Sequence, residues 1–293
     1  MDKNIYQLAD EAAEEINRQA EETQRELQRI ADEADEAIRG DTMSKVYTIT
    51  NQKGGAGKTT TALAVAAGLS LKGYSVLSID LDAQSNMTYT AGAKADGATA
   101  LGVLTGEIRA GDAIQKTESG GIIPASKALA GADAFITDTG KEYRLKEALE
   151  PIRGEYDYII IDTPPALGIL TINALTACDS VIIPAQADIY SLQGIEQLAE
   201  TMKPVKKYTN PDLTIEGILL TRYSPRSVLS REVAELAQQI AGKLGTKLFR
   251  ATIREAVAVK EAQISQQSLY SYAPKAKVTE DYSRFIAELL GEE

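Results

Sequence analysis

From residue 45 onward the chain alternates short, unbroken apolar runs with longer stretches whose apolar residues recur at helical spacing. KVYTIT (45–50), SVLSID (75–80), YDYIIID (156–162), SVIIPA (180–185) and LTIEGILLT (213–221) are runs of the first kind. GIIPAS (121–126) and TKLF (246–249) are weaker examples. A strand wet on one face alternates apolar with polar residues; a strand covered on both faces is apolar throughout. Residues 58–72 carry apolar residues at helical period and stop at Gly73. The alternation predicts an α/β fold, a doubly wound, mostly parallel sheet flanked by helices. A ligand of such a sheet belongs at the carboxyl ends of its strands.

Residues 1–39 follow another rule. They read as one polar helix, free of Gly and Pro, with a thin stripe: Ile5, Leu8, Ala12, Ile16, Ala20, Thr23, Leu27, Ile30, Ala34, Ile38. The mean spacing of about 3.67 residues is closer to an 11-residue repeat than to a heptad. Gly40-Asp41-Thr42 breaks the pattern, and Met43-Ser44-Lys45 looks like a second chain start. The expected division is therefore an acidic helical extension over 1–42 and a globular domain over 43–293. Charge sharpens it: residues 1–42 hold 13 acidic and 5 basic side chains, most of the overall net charge of −11. The domain is nearly neutral, which leaves room for a local basic surface.

Composition narrows the chemistry. Trp is absent and Phe occurs three times, so the core must be aliphatic. Without histidine there is no imidazole catalysis and no His-ligated zinc. The single cysteine, Cys178, forms no internal disulfide or thiolate cage, and is expected as buried packing. No run of about 18 apolar residues suggests a membrane span, and the acidic N-terminus lacks the apolar core of a secretory signal. A cytosolic compartment is the natural reading.

The chemistry gathers in three strand ends. NQKGGAGKTT (51–60) follows the first strand and opens the first helix. Gly54, Gly55 and Gly57 let backbone N–H groups curl around phosphate oxygens, and the helix N-terminus adds its dipole. Lys58 would neutralise the β and γ phosphates and the Thr59 hydroxyl would ligate Mg²⁺. The general G-x-x-x-x-G-K-[ST] pattern nevertheless fails, because Gln52 stands where the first Gly belongs, and a second lysine, Lys53, precedes Lys58. In IDLDAQSN, Asp80 and Asp82 are two apart and so point the same way at a strand end. One can hold a metal-bound water; the other can orient an attacking water. YIIIDTPP (158–165) ends in Asp162, the expected second Mg²⁺ carboxylate, acting through water. Thr163-Pro164-Pro165 then offers a stiff loop able to sense a γ-phosphate.

Together KGGAGKTT, SIDLDAQSN, YIIIDTPPALGILTINAL and IIPAQADIYSLQGI, in order over roughly 45–290, resemble the ParA/Soj branch of the ParA–MinD ATPases, P-loop NTPases with a deviant Walker A loop. The resemblance implies an ATPase that uses ATP and Mg²⁺ and forms an ATP-dependent nucleotide-sandwich homodimer. It makes Lys53 the signature lysine, reaching phosphates held by the other subunit. Residues 53–60, with Ala56 and Thr60, would form the cradle; Asp82 would position the attacking water and Asp80 support the metal shell. Arg222, in LLTRYSPRSV (219–228), and Arg254 are candidates beside adenine, although relatives often carry Pro-Arg where this chain has Ile253-Arg254.

The same resemblance implies non-specific DNA binding by the ATP-bound dimer, a ParB-like centromere-binding protein that stimulates slow hydrolysis, and a cytoplasmic, nucleoid-associated location. Arg226 falls where the Soj pattern has a DNA-binding arginine; where it has a second, this chain has Ala258, with Lys260 two residues on. Arg231, Lys275 and Lys277 complete the candidates, and a few aligned cations suffice for salt-dependent phosphate contacts. MinD relatives dock on membranes through a basic C-terminal helix; DYSRFIAELLGEE is amphipathic but acidic, the wrong sign for anionic lipid. The principal reading is a DNA partition ATPase. The alternative is a ParA-like ATP switch that regulates replication, conjugation or protein positioning through a protein partner, without DNA.

Overall fold

The computed structural model describes Thr23 and residues 44–292. The helix expected over 1–39 and its break at 40–42 fall almost wholly outside the described residues. Eight strands form one sheet in the order β3-β4-β2-β5-β1-β6-β7-β8. They are β1 (Lys45–Ile49), β2 (Val76–Asp80), β3 (Gln115–Thr117), β4 (Gly120–Ile123), β5 (Tyr158–Asp162), β6 (Ser180–Gln186), β7 (Thr214–Thr221) and β8 (Leu248–Ile253). All neighbours run parallel except β3 and β4. The helices are α1 (Lys58–Leu71), α2 (Asn86–Thr90), α3 (Ala100–Thr105), α4 (Ala132–Phe135), α5 (Arg144–Leu149), α6 (Ile169–Ala177), α7 (Ile189–Tyr208), α8 (Val228–Lys243), α9 (Val257–Ile264), α10 (Leu269–Tyr272) and α11 (Lys277–Leu290).

The unbroken apolar runs have a direct cause. In β5, Ile159 and Ile161 pack into one core while Ile160 packs into the other. Val181 and Ile183 of β6 share the first core, and Ile182 lies in the second. With helices on both faces, each successive side chain finds an apolar environment. Ala62, Val65 and Leu69 of α1 join Tyr282, Phe285 and Ile286 of α11 on one face; α6, α7 and α8 cover the other. The apolar side of the acidic C-terminal helix is thus buried against the body. Cys178, at the end of α6, is buried, and burial pushes its thiol up to about 12.

Two differences from the expected strands lie at the margins. β3 is polar, three residues long and held only by antiparallel pairing with β4. β8 starts two residues later than TKLF and continues to Ile253, which carries Arg254 to the carboxyl edge. At that outer strand Glu288 of α11 accepts from Arg250 N and Ala251 N, each at 2.9 Å, satisfying two backbone donors with one carboxylate.

Candidate active site

The strand order explains where the site lies. β1 is flanked by β5 and β6; the chain runs from β1 to β2 on one side of the sheet, and from β5 across β1 to β6 on the other. Loops diverging from such a switch point leave a crevice at the carboxyl ends. Here that crevice is a cleft of about 600 Å³, lined among others by Gly54, Gly55, Gly57, Lys58, Thr59, Thr60 and Asp82.

The loop between β1 and α1 is shaped by its glycines and by contacts from other strands. Gly55 and Gly57 have φ of 77° and 92°, the left-handed region that glycine enters without a Cβ clash. The Thr221 hydroxyl, at the end of β7, donates to Ala56 O at 2.8 Å, and Gln186 Nε2 donates to Gly55 O. Ala56 is 1% exposed and anchors the loop rather than lining the cleft. Thr60 lines it, and its hydroxyl accepts from Gln263 Nε2 at 3.2 Å.

Lys58 is 7% exposed. Burial lowers its pKa, and the carboxylates of Asp162 and Asp82 oppose that shift. The strand register sets Asp80 and Asp162 side by side on β2 and β5. Their environments differ. Asp80 Oδ1 accepts from Asp82 N at 3.0 Å, while Oδ2 accepts from Thr88 N and the Thr88 hydroxyl at 2.8 and 2.7 Å. Burial still pushes Asp80 up to about 6. Both Asp162 oxygens are fully buried and accept no hydrogen bond. Burial and then the Asp80 charge raise its pKa well above the ordinary value; the nearby Thr59 hydroxyl, which does not reach hydrogen-bond geometry, and the Lys58 ammonium pull the other way. Asp82, one residue beyond Leu81 and outside the strand, lines the cleft, and its Oδ1 accepts from Gln84 N at 3.0 Å. The i, i+2 rule that would point both acids at one place ends with the strand at Asp80.

Lys53 is on the same loop but, unlike Lys58, does not line the cleft. Its ammonium pairs with Asp188 and donates to Gln186 Oε1 at 3.2 Å. No role was expected for either residue; their only sequence signal is their position at another βα turn of the same sheet edge. The geometry is that of a phosphate cradle with one buried lysine, one rim lysine and an unsatisfied carboxylate below. A family model described as an AAA domain matches residues 44–215. The sporulation initiation inhibitor protein Soj of Bacillus subtilis is 42% identical over 252 residues, covering 84% of this chain and 98% of that protein. The chain belongs to the ParA/Soj family of ATPases.

The chromosome partitioning protein ParA of Myxococcus xanthus is 37% identical, over 85% of this chain and 89% of that protein. Among solved structures, cobyrinic acid a,c-diamide synthase from Mycobacterium smegmatis with bound ADP and magnesium superposes with a TM-score of 0.73 at 34% identity. The match covers 85% of this chain and 94% of that one. The remaining residues singled out in this ParA/Soj chain are dispersed. Arg222 lines the cleft in a left-handed backbone conformation, φ 49°, with Nε 3.9 Å from Glu255. Arg254 also lines it, but its guanidinium grips Asp281 through Nε and one terminal nitrogen, at 2.5 and 2.7 Å. Lys260 lines the nucleotide-sized cleft itself. Arg226, Arg231, Lys275 and Lys277 are exposed, and Arg231 also donates to Pro225 O at 2.9 Å. Among the described residues, no three carboxylate or thiol side chains converge in a metal-holding group, and no helix is long and apolar enough to cross a membrane.

Proposed function

We propose that this ParA/Soj chain hydrolyses ATP with Mg²⁺ to drive DNA partition, as an ATP-dependent homodimer that binds DNA without sequence preference and is stimulated by a ParB-like partner. The observation that carries the reading is the pair of lysines on one loop, one buried beside two acids and one at the rim. The relative solved with ADP and magnesium supports the ligand assignment.

The residues fit both groups. The glycine cradle accepts phosphate oxygens, and Asp162, buried without a donor, is a carboxylate that needs a cation or a proton. Mg²⁺ typically takes one or two carboxylates and completes its shell with phosphate oxygens and water. Thr59 and Asp162 would hold it, with Asp80 supporting from below; when bound it neutralises charge on the phosphates. Lys58 binds the β and γ phosphates of its own nucleotide. Asp82 orients the attacking water. Catalysis here is positioning and electrostatics. Lys53 contributes a charge-assisted contact, about twice as strong as a neutral hydrogen bond, to the neighbouring subunit's triphosphate. Arg222 and Arg254 flank the base side of the cleft. Residues 1–42 are a separate acidic extension to the domain over 43–293.

The test is sedimentation of the full chain with Mg²⁺ and a non-hydrolysable ATP analogue. The native chain should dimerise and Lys53→Ala should remain monomeric; an unchanged dimer in the variant refutes the bridging role.

A second reading has an observation of its own. Of the cations singled out for DNA, Lys260 lines the nucleotide cleft rather than a separate surface; by the resemblance to the Soj pattern, Ala258 stands where an arginine is expected. That favours a switch acting through a protein partner. ATP-dependent retention on random duplex DNA in about 0.1 M salt separates the two. Hydrolysis rates with DNA alone, and then with a ParB-like protein, give the second measurement.

A further inference from the structure

Lys53 does not wait in solvent. Its backbone and its side chain are held separately, by different means. Asn51, fully buried, fixes the backbone: its Oδ1 accepts from Lys53 N at 3.0 Å, and its Nδ2 donates to Pro184 O at 2.8 Å. Gly194 of α7 packs directly against this amide; a Cβ there would lie 2.6 Å from Asn51 Oδ1. The ammonium, by contrast, is held by a pair that can break. Asp188 and Lys53 are 30% and 25% exposed, and the two residues are 135 positions apart in sequence.

Asp188 has a second duty. It is the N-cap of α7, its Oδ1 accepting from Ser191 N at 3.0 Å, while Oδ2 faces Lys53. Burial pushes its carboxyl up, but Lys53 and the amides of Ser191 and Tyr190 more than reverse this and keep it below the usual carboxylate range. It is therefore charged at neutral pH. Because cap and ion pair use different oxygens, Lys53 can leave without the helix losing its cap. Gln186 completes the holder: Oε1 accepts from Lys53, and Nε2 donates to the phosphate loop at Gly55 O.

We infer that Asp188 is a latch that retains Lys53 on its own subunit and sets the nucleotide level at which dimerisation begins. The inference rests on the bridging role proposed for Lys53. A single partly exposed carboxylate competes with the more densely charged triphosphate of a neighbouring subunit. A diphosphate, lacking the terminal phosphoryl group, competes less well, so the latch sharpens discrimination between the two nucleotides. A surface ion pair is weak enough to yield, and each dimer opens two of them. Asp188 is a positioning residue: it acts through Lys53 and touches no reacting atom.

The test is Asp188→Asn in the full chain. Asn caps a helix about as well as Asp but removes the charge facing Lys53. Sedimentation with Mg²⁺ and the non-hydrolysable analogue should show half-dimerisation at roughly three- to tenfold lower nucleotide, with unchanged melting temperature. An unchanged or higher requirement overturns the latch. Asp188→Ala should share the lowered threshold and also melt earlier, because it loses the cap. If only the Ala variant shifts, the effect comes from the cap and the latch is refuted. Lys53→Ala separates the two layers. If it still dimerises, the bridging role falls and the latch with it; if it is monomeric while Asp188→Asn behaves as the native chain, the latch alone falls.

Discussion

Lys58 and Lys53 lie five residues apart on one loop, yet their surroundings share little. Lys58 is 7% exposed at the start of α1, between carboxylates contributed by two other strand ends. Lys53 is partly exposed and paired with a residue at the head of α7. The floor of the cleft is preorganised at a cost: a buried cation and two adjacent buried acids, one of them, Asp162, without a donor. The rim is assembled from contacts of ordinary strength that a competing anion can replace. One charge is fixed in the interior; the other is held by a partly exposed pair.

The strongest way to break this contrast is at the floor. If Asp162 holds Mg²⁺ as proposed, Asp162→Asn should lower Mg²⁺-dependent hydrolysis by about 100-fold or more, because a charged ligand is lost. The same change should stabilise the nucleotide-free protein by about 1–3 kcal/mol, since burial and the adjacent Asp80 disfavour the charged carboxylate more than Lys58 favours it. That corresponds to a few degrees in melting temperature for a domain of this size. The pH dependence has a definite sign. The Asp162 pKa is raised in the fold, so the native state binds the extra proton between the unfolded and folded values. The destabilisation is complete above the folded pKa and fades as pH falls towards the ordinary carboxylate range. The gap in melting temperature between variant and native chain should therefore be widest at pH 8 and narrow on acidification. A constant gap, or a less stable variant, would remove the strained floor.

A middle-sized effect tests how the rim is supported. Gly194→Ala puts a methyl group 2.6 Å from Asn51 Oδ1, a clash that should cost about 1–3 kcal/mol by overpacking. Thermal melting should show the loss, and triphosphate-dependent dimerisation should weaken with it because the Lys53 backbone shifts. The smallest effect belongs to the outer surface. Arg226→Ala should reduce affinity for random duplex DNA only several-fold and flatten the salt slope by about one counterion per site. No change in either quantity would favour the protein-partner reading.

The sequence made the floor legible because local rules govern it. A glycine-rich turn between strand and helix, and acids at the ends of apolar strands, follow from spacing alone. β1, β2, β5, β6 and β7 could be seen because both of their faces are buried. β3 could not: Gln115, Lys116 and Thr117 carry no apolar pattern, and their strand geometry is imposed by pairing with β4. Period-two alternation does not extend from Asp80 to Asp82, because the strand stops at Asp80 and Thr88 takes up its carboxylate. The pairing of Lys53 with Asp188 was beyond reach, since it joins two loops brought together only by the order of strands in the sheet.

The two margins of the sheet constrain how copies of this chain can meet. One margin is a three-residue polar strand, and at the other Glu288 occupies successive backbone donors of β8. Neither offers the row of open amides and carbonyls along which sheets of separate molecules fuse into ribbons. Open-ended polymerisation by strand addition is thereby disfavoured at both margins.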